Sequence, residues 1–538
     1  LNNCWNDKNE RLIISIGENA ASYKWMHERS STYYKNTSSI FNITLIILAV
    51  FLSAETIIPP SYIEDNKAIF ISKQILIYII TILTILQNRF ESATIHWACQ
   101  MAGIAIVPLN WRSKPNEIDY CAQNADVKLA FVEEVSLSNY LQSETSKSIS
   151  VILCMEKVPS DGYTYFEELI QVGVKPTAQG HVEDVSVMLF TSGTTGKPKG
   201  VPRKQQAERA AGIAHVAQNQ YAMAEVTLGV MPLYHTMGVR TLLSLCIVNG
   251  TYVAIPRWDA DMAIEAIERE AVTHLYLVPT LYHDMLQSKN FNVSRVKTVR
   301  KLGFAGAPMH DALLLSLNEA FAPELFVNHY GSSEIYTYTI NQNAVAKPGC
   351  AGKAGINARI KVVKLDQGSI QTMPTLVAPC NEEGQIICDL SGDEAFEGYW
   401  KRPDADQKSI RGGWYFTGDT GYFDESGDLF VTGRVDDMII SGGENISPVE
   451  IESLLSLHPL VSEVAVAGLK DDRLGQKVVA FIRASGILDS NTLDEYCRGS
   501  DLINLKRPRE YVFVKEIPKS PVGKVLRRML VAGEYERA

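Results

Sequence analysis

Short apolar segments alternate with amphipathic ones over most of the chain. Segments 105–109, 129–132 and 151–154 have the length and apolar character of buried strands, whereas 90–101 and 115–122 have the apolar spacing of helices. Strands that alternate with helices build parallel sheets with helices packed on their faces. The pattern therefore predicts an α/β fold, with parallel sheets in a large, multi-lobed N-terminal domain.

Two later regions complete the predicted organisation. A second strand and helix cycle runs from 227 to 277, and the glycine-rich stretch 412–443 is typical of turns and short antiparallel strands. Ser447, followed by Pro448 and Glu450, has the residue order of a helix start. We therefore expect a large domain at residues 87–434 and a small, mobile α+β domain at 435–538.

Residues 1–86 differ in composition from the rest of the chain. Their two apolar runs, 43–54 and 75–86, span 12 residues each, whereas a bilayer requires about 20. We interpret both runs as buried strands or helices, and membrane contact through residues 40–86, with peripheral membrane association, is the less favoured alternative. Our hypothesis for the segment is a divergent membrane-contacting extension, or an aberrant N-terminus in place of the usual first β-α units.

Charge and cysteine content narrow the class of protein. The 538 residues include 51 Lys and Arg against 61 Asp and Glu, a net charge of -10. This sign disfavours a protein whose main partner is nucleic acid. The nine cysteines contain no C-x-x-C pair, so we expect reduced thiols and a cytoplasmic location. A small-molecule enzyme fits best.

The strongest candidate site follows the apolar segment 185–189. Residues 190–200 read FTSGTTGKPKG, which combines glycines, hydroxyl groups and lysines in one loop. Exposed backbone N–H groups and positive charge suit a polyphosphate, although the order is not that of a Walker loop. The alternative interpretation is a flexible surface loop with ordinary lysines.

Three further segments carry candidate nucleotide ligands. In NHYGSSE at 328–334, Tyr330 could cover a base and Glu334 could hold Mg²⁺. Asp419 lies beside a glycine, where its carboxylate could accept hydrogen bonds from both ribose hydroxyls, and Arg434 precedes two further acids. Each of these residues taken alone could be an ordinary solvated loop charge.

Together these motifs resemble the adenylate-forming superfamily of acyl-CoA synthetases, luciferases and peptide-synthetase adenylation domains. The matching segments, in order, are 190–200, 330–334, 415–419, 433–444 and 518–527. Segments 231–235, 436–446 and 506–508 are similar to the aryl-CoA ligases, particularly the 4-chlorobenzoate:CoA ligases. The resemblance covers about residues 87–530.

The resemblance implies a two-step reaction with ATP, Mg²⁺ and CoA. A carboxylate would first form an acyl-adenylate and pyrophosphate, and the CoA thiol would then displace AMP. We expect an aromatic carboxylic acid as the small-molecule substrate. Alternatives are a fatty-acid or succinylbenzoate-type ligase, an enzyme that passes its acyl group to a carrier protein, and a non-catalytic AMP-binding relic.

The resemblance also assigns ligands for ATP and the metal. Phosphate ligands would be Thr191, Ser192, Gly193, Thr194, Thr195 and Lys199. Nucleoside ligands would be Tyr330, Gly331, Ser332, Asp419 and Arg434. Lys524 would bridge the carboxylate and the α-phosphate, Glu334 would bind Mg²⁺, and Asp436 would be the hinge between the two half-reactions.

Substrate and CoA contacts follow in the same way. Gly442 and Gly443 would line the pantetheine tunnel, and Arg507 would meet the CoA phosphates, unless the basic run around it is only a solvated face. His235 would gate the acid. The acyl pocket would be formed by His235, Tyr276, Ala305, Gly306, His329, Gly331 and Tyr336. Aromatic walls with small residues between them fit a flat ring, and they also fit a short branched or medium acyl chain.

Overall fold

The computed structural model describes most of the chain from residue 81 onward. The described residues are 13–15, 81–156, 162–169, 180–191, 198–365, 372–441, 444–519 and 525–538. The chain divides into two compact units. The first contains residues up to 258 together with 396–403, and the second contains 259–395 and 404–538.

A seven-stranded sheet organises the first unit. Its strands are β2 (Thr81–Ile85), β3 (Ala105–Pro108), β4 (Val127–Val132), β5 (Ser150–Leu153), β6 (Thr164–Tyr165), β7 (Val185–Thr191) and β8 (Lys199–Lys204). They pair in the order β6-β5-β4-β2-β3-β7-β8, and only β7 and β8 pair antiparallel. The helices connected to this sheet are α1 (Phe90–Ala102), α2 (Pro115–Asn124) and α3 (Glu134–Leu141).

Burial explains why these segments form a sheet. All five residues of β2 are buried, as central strands covered on both faces must be. One face of the sheet packs in a core that contains Leu83, Val107, Ala130 and Met188. The central strands therefore lack the alternation of polar and apolar residues that is typical of strands with one exposed face. In the sequence, these strands are short, mostly apolar runs.

Three more strands and two long helices complete the described part of the first unit. They are β1 (Ile13–Ser15), β9 (Val226–Gly229), β10 (Thr251–Ala254), α4 (Gln205–Gln218) and α5 (Thr236–Ile247). Strand β10 pairs parallel with β9 and antiparallel with β1. The β9 to α5 connection carries the Pro232 to His235 turn.

The second unit begins with parallel strands and continues as an antiparallel sheet. Its strands are β11 (His274–Leu277), β12 (Lys301–Phe304), β13 (Leu325–Tyr330), β14 (Thr339–Asn341), β15 (Cys350–Ala354), β16 (Ile360–Val363), β17 (Gly384–Asp389), β18 (Ile410–Arg411), β19 (Trp414–Phe423) and β20 (Leu429–Arg434). They pair in the order β11-β12-β13-β14-β15-β20-β19-β17-β16, with β18 on β19. The helices are α6 (Ala260–Glu270), α7 (Pro279–Gln287), α8 (Val293–Val296), α9 (Asp311–Phe321) and α10 (Pro403–Ser409).

The C-terminal part of this unit has its own sheet. The strands β21 (Ile439–Ser441), β22 (Glu444–Ile446), β23 (Val461–Asp471), β24 (Gly475–Ala484) and β25 (Glu510–Phe513) pair in the order β22-β21-β24-β23, with β25 on β24. The helices are α11 (Pro448–Ser456), α12 (Ser490–Arg498) and α13 (Arg527–Ala532). Apolar residues of β23, β24 and α11 form a separate core.

The predicted fold class is confirmed, with one local difference. Ser447 stands at the N-cap of α11 and Pro448 begins the helix, as predicted. However, the Ser447 hydroxyl donates to the Thr432 carbonyl and makes no capping bond. The hydroxyl therefore ties the helix start to β20 instead of closing its first turn.

Two other sequence interpretations concern cysteines and membranes. The cysteines that the structure describes form no disulfides, and all of them except Cys380 are buried. Cys4 lies outside the described residues. Within the described ranges, no helix has the length and apolar character needed to cross a bilayer. The apolar run 43–54 lies outside the described residues, and residues 81–85 of the second run form the buried strand β2.

A buried ion pair gives a stability prediction. Arg203 Nε lies 2.9 Å from Glu208 Oε1, and the two side chains are 0% and 3% exposed. Because Glu208→Ala leaves a buried guanidinium without this carboxylate, we expect it to lower the free energy of unfolding by about 3–5 kcal/mol. Urea denaturation measures this loss. The exposed pair Lys147–Glu144 is the control, and equal losses in Glu208→Ala and Glu144→Ala would contradict the prediction.

A buried histidine gives a prediction of pH dependence. His96 on α1 is 2% exposed, and burial lowers its pKa from 6.5 to about 4. Between these values the unfolded chain binds a proton that the native chain does not, so stability should fall as the pH decreases from about 6.5 to 4. We expect His96→Phe to flatten this slope in urea titrations, and exposed His181→Phe to leave it unchanged. Unchanged slopes in both variants would contradict the assignment.

Candidate functional site

The polyphosphate loop predicted from the sequence connects two paired strands. Strands β7 and β8 are antiparallel, and Thr191 is paired with Lys199 at the end next to the loop. The Thr191 hydroxyl donates to the Lys199 carbonyl at 3.4 Å. Ser192, Gly193, Thr194 and Thr195 lie outside the described residues. The sequence prediction of a strand that leads into this loop is confirmed.

Lys199 has an aromatic neighbour from a distant segment of the same unit. Its ammonium nitrogen lies 4.1 Å from the centroid of the Tyr399 ring, within the range of a cation–π interaction. The Trp400 N–H donates to the Gly200 carbonyl at 2.9 Å, and the Trp400 indole donates to the Asn124 carbonyl at 3.0 Å. Backbone and side-chain bonds therefore hold the Tyr399 ring beside β8.

His235 is the N-cap residue of helix α5. Its Nδ1 accepts a hydrogen bond from the Met237 N–H at 3.4 Å, and its own N–H donates to the Pro232 carbonyl at 2.9 Å. A Cβ atom on Gly238 would lie 2.2 Å from that carbonyl oxygen. The missing side chain thus lets the first turn of α5 lie directly against the turn that carries His235.

In the second unit, Tyr330, Asp419 and Arg434 come together. The Tyr330 hydroxyl donates to Asp419 Oδ2 at 2.6 Å, and Arg434 Nη1 lies 3.2 Å from Asp419 Oδ1. Gly418 has φ +77°, and a Cβ there would lie 2.8 Å from Arg434 Nη2. Glycine therefore satisfies both the left-handed backbone and the close approach of the guanidinium.

Electrostatics fix the charge state of this group. Burial and then the Asp419 carboxylate raise the pKa of the Tyr330 hydroxyl well above its usual value, so the hydroxyl remains a hydrogen-bond donor. Burial lowers the pKa of Arg434, but the nearby negative charges, Asp419 first among them, raise the pKa of Arg434 above its usual value. Asp419 is therefore a carboxylate held between one neutral donor and one cation.

A tight turn after β13 positions Ser332 and Glu334. A Cβ on Gly331 would lie 2.0 Å from the Tyr336 carbonyl oxygen, so only glycine fits. The Ser332 hydroxyl is 2.6 Å from the Tyr338 hydroxyl and accepts from the Glu334 N–H at 3.2 Å. Burial and then the charge of Glu334 raise the pKa of the Tyr338 hydroxyl well above its usual value.

The predicted acyl-pocket residues of this unit lie at the ends of parallel strands. Tyr276 is in β11, Ala305 and Gly306 follow β12, and His329 is in β13. The Tyr276 and His329 rings are 5.1 Å apart and nearly perpendicular. Tyr336 is buried in the turn after β13. Strands β11 and β13 both pair parallel with β12, and they bring Tyr276 and His329 together across it, near their carboxyl ends.

The described structure contains few of the candidates near the C-terminus. Lys524, Gly442 and Gly443 lie outside the described residues, as does the side chain of Asp436. Arg507 donates to Asn504 at 3.0 Å and is paired with Asp494, so it already has ligands within the C-terminal sheet region.

Charged bonds anchor the chain on both sides of the segment that contains Lys524. Arg527 binds both oxygens of Glu452, at 2.6 and 2.8 Å, and lies 3.4 Å from Asp437. The Lys519 ammonium lies 2.6 Å from Glu463. These bonds attach both flanks of the Lys524 segment to the C-terminal sheet region.

Sequence reasoning missed Tyr338, Tyr399 and Thr417. Tyr338 binds Ser332, Tyr399 contacts Lys199, and the Thr417 hydroxyl accepts from the Asp419 N–H at 3.0 Å. Tyr338 and Thr417 lie within a few residues of recognised candidates and could have been included. No local pattern connects Tyr399 with a lysine 200 positions earlier.

Comparison with known families gives two matches in this chain. The model described as AMP-binding enzyme matches residues 81–400. The model described as AMP-binding enzyme C-terminal domain matches residues 450–524. The first match includes Thr191, Lys199, Tyr330 and Glu334, and the second includes Lys524.

Individual proteins that are similar to this chain include CoA ligases and a CoA synthetase. A 4-chlorobenzoate–CoA ligase of Arthrobacter sp is 35% identical over 351 residues, which are 65% of this chain and 66% of that ligase, just under two thirds of its length. An indoleacetate–CoA ligase of Aromatoleum aromaticum is 30% identical over 83% of this chain and 87% of that protein. The solved o-succinylbenzoate CoA synthetase of Bacillus subtilis, in complex with its acyl-adenylate, is 26% identical with a TM-score of 0.71, over 84% of this chain and 88% of that one.

Proposed function

This chain belongs to the family of AMP-binding enzymes, and we propose that it joins a carboxylic acid to CoA at the expense of ATP. The acid would first become an acyl-adenylate, and the CoA thiol would then take the acyl group and release AMP. The observation that carries this proposal is the arrangement of Tyr330 and Arg434 around the Asp419 carboxylate.

That arrangement suits the nucleoside half of ATP. A carboxylate offers about four acceptor positions, and the Asp419 side chain is 15% exposed, so it can accept from ribose hydroxyls while it binds Tyr330 and Arg434. The Tyr330 ring supplies an apolar surface for the adenine base. Arg434 places a cation 3.2 Å from the other oxygen of the same carboxylate and so helps to hold it in position.

The phosphate half would be held by the β7–β8 loop. Thr191, Ser192, Gly193, Thr194, Thr195 and Lys199 supply hydroxyl, backbone N–H and ammonium donors. Lys199 is partly buried beside Tyr399, and contact with the ring orients an ammonium without neutralising its charge. In this proposal, the Lys199 ammonium would donate to phosphate oxygens from its place beside the ring.

Glu334 fits a Mg²⁺ ion that is shared with nucleotide phosphates. Among the described side chains, no three His, Cys, Asp or Glu residues cluster as a metal site. Mg²⁺ requires only one or two carboxylates when phosphate oxygens and waters complete its shell. The buried Glu334 and the neighbouring Ser332 hydroxyl supply oxygen ligands of this kind. When bound, the ion would neutralise charge on the phosphates.

Lys524 would act in the first half-reaction. The substrate carboxylate attacks the α-phosphorus, and the bond to pyrophosphate breaks. Negative charge then develops on the phosphoryl oxygens, so a positioned ammonium lowers the barrier. The same proposal includes a large domain at 87–434, a small domain at 435–538 and a hinge at Asp436. The small domain would rotate about this hinge, because Lys524 must leave the site before the thiol enters.

The candidate acid is aromatic. The Tyr276 and His329 rings, which are 5.1 Å apart and nearly perpendicular, would form aromatic walls, and the small residues Ala305 and Gly306 would leave space for a flat ring. His235 would gate the carboxylate end. The Arthrobacter and Aromatoleum relatives are named for 4-chlorobenzoate and indoleacetate, which are both aromatic acids. These names support an aromatic substrate over a fatty acid.

CoA is the proposed acceptor, and Gly442 and Gly443 would admit its pantetheine arm. Arg507 is the weaker part of this assignment, because its guanidinium is already bound to Asp494 and Asn504. A CoA phosphate would have to share Arg507 with these two residues. The thiol acceptor is therefore best identified by its product.

Pyrophosphate release tests the proposed activity. We expect purified protein with ATP and Mg²⁺ to release pyrophosphate only when a suitable acid is added, from a panel of benzoate, 4-hydroxybenzoate, cinnamate, 2-succinylbenzoate, indoleacetate and octanoate. Lys524→Ala should reduce this rate by about 100-fold or more, because positioned charge is a large part of transition-state stabilisation. Thioester formation that requires CoA identifies the acceptor.

Lys515→Ala is the matched control for Lys524→Ala, because Lys515 is an exposed cation near the same end of the chain. We expect it to retain the full rate. A folded protein that binds ATP but activates no acid would favour the non-catalytic alternative. Equal losses in both lysine variants would remove Lys524 from the mechanism.

AMP affinity tests the role of Asp419. We expect Asp419→Asn to weaken AMP binding by about tenfold or more in calorimetry, because hydrogen bonds to a charged group are stronger than neutral ones. Asp389→Asn is a matched control, since Asp389 has the same 15% exposure and lies 3.0 Å from Arg359. Unchanged affinity in Asp419→Asn, or equal losses in both variants, would contradict the assignment.

A further inference from the structure

The amide of Asn88 is bonded to a single distant segment. Its Nδ2 donates to the Gly229 carbonyl at 2.8 Å and to the Met231 carbonyl at 2.7 Å, and its Oδ1 accepts from the Leu233 N–H at 3.2 Å. The side chain is buried, with 4% exposure. One amide thus binds three alternate residues, from the last residue of β9 into the connection that leads to α5.

Asn88 is itself held firmly between β2 and α1. The Gln87 N–H donates to Glu133 Oε1 at 2.5 Å, and the Ser92 hydroxyl donates to the Gln87 carbonyl at 2.6 Å. Arg89 forms ion pairs with Glu91 at 2.8 Å and Glu133 at 3.0 Å. Both neighbours of Asn88 are therefore fixed, and the amide has a constant position from which to bind the other segment.

The segment that Asn88 binds leads directly to His235. The Asn88 amide binds the Met231 carbonyl and the Leu233 N–H, which lie on either side of Pro232, a residue with no N–H of its own. The His235 N–H binds the Pro232 carbonyl, and α5 packs against the same carbonyl through Gly238. A displacement of residues 231–233 would therefore move His235 and the start of α5.

We propose that Asn88 is a positioning residue for the acid substrate, which acts by fixing residues 229–233 and so the place of His235. This role rests on the proposed function, in which His235 gates the carboxylate. Asn88 does not touch the acid. It sets the geometry of a residue that does, and its effect should be confined to the acid.

Asn88→Asp is the sharpest variant. It preserves the shape of the side chain but replaces the donor Nδ2 with an oxygen that faces two carbonyl oxygens. We expect KM for the acid to rise about tenfold, with KM for ATP within about twofold of wild type. Asn88→Ala removes the bonds without adding a charge and should shift the same parameter in the same direction.

Thr81→Val is the matched control. Thr81 on β2 is also fully buried and donates to the Ala125 carbonyl at 2.8 Å, but no described bond joins it to residues 229–233. We expect it to lower the urea midpoint and to leave KM for the acid unchanged. An equal rise in KM for the acid in Thr81→Val would show that any loss of stability produces the effect, and would overturn the proposal.

Two further measurements separate the parts of the argument. Hydrogen exchange of the peptide around residues 230–236 should speed up in Asn88→Asp and remain unchanged in Thr81→Val. In a protein that already carries His235→Ala, adding Asn88→Asp should not change KM for the acid, because Asn88 acts only through the position of His235. Full additivity in this double variant, or unchanged exchange, would overturn the role of Asn88.

Failure of the broader proposal gives a different result. A wild-type protein that activates no acid would overturn the proposed function and this role of Asn88 together. A wild-type protein that is active, with the same KM for the acid in Asn88→Asp and Asn88→Ala, would overturn only the role of Asn88.

Discussion

The carboxylate of Asp419 is the group on which the proposed nucleotide site depends. Asp419 lies in β19 and Tyr330 ends β13, and three strands separate them in the pairing order of the sheet. Their hydrogen bond of 2.6 Å therefore requires the sheet to curve until these strands meet. Arg434 on β20 binds the same carboxylate, so the acid, the aromatic ring and the cation define one another's positions.

The candidate site was predictable wherever its chemistry is local in the chain. The apolar segment before Phe190 and the glycines after Thr191 specify a strand that leads into a loop, and β7 ends at Thr191. Helix α6 lies within the predicted strand and helix cycle 227–277, and the Asp259 side chain caps its start by accepting a hydrogen bond from the Met262 N–H. Such signals are contained within a few residues and need no knowledge of the fold.

Contacts between distant segments gave no such signal. Asn88 and Met231 are 143 positions apart, and Tyr399 is 200 positions from Lys199, so only the folded sheet brings these groups together. At Ser447, a local signal predicted the position of the residue correctly but not its hydrogen bond. Its place at the N-cap was evident, but its hydroxyl binds Thr432, because tertiary contacts compete with local capping.

The central claim is that the acid becomes an acyl-adenylate before it meets the thiol. With the acid that supports pyrophosphate release, labelled in both carboxylate oxygens with ¹⁸O, a single turnover with ATP and CoA tests this directly by mass spectrometry. If the carboxylate attacks the α-phosphorus, one ¹⁸O atom must remain on AMP after thioester formation. Unlabelled AMP, or ¹⁸O in inorganic phosphate, would contradict the account.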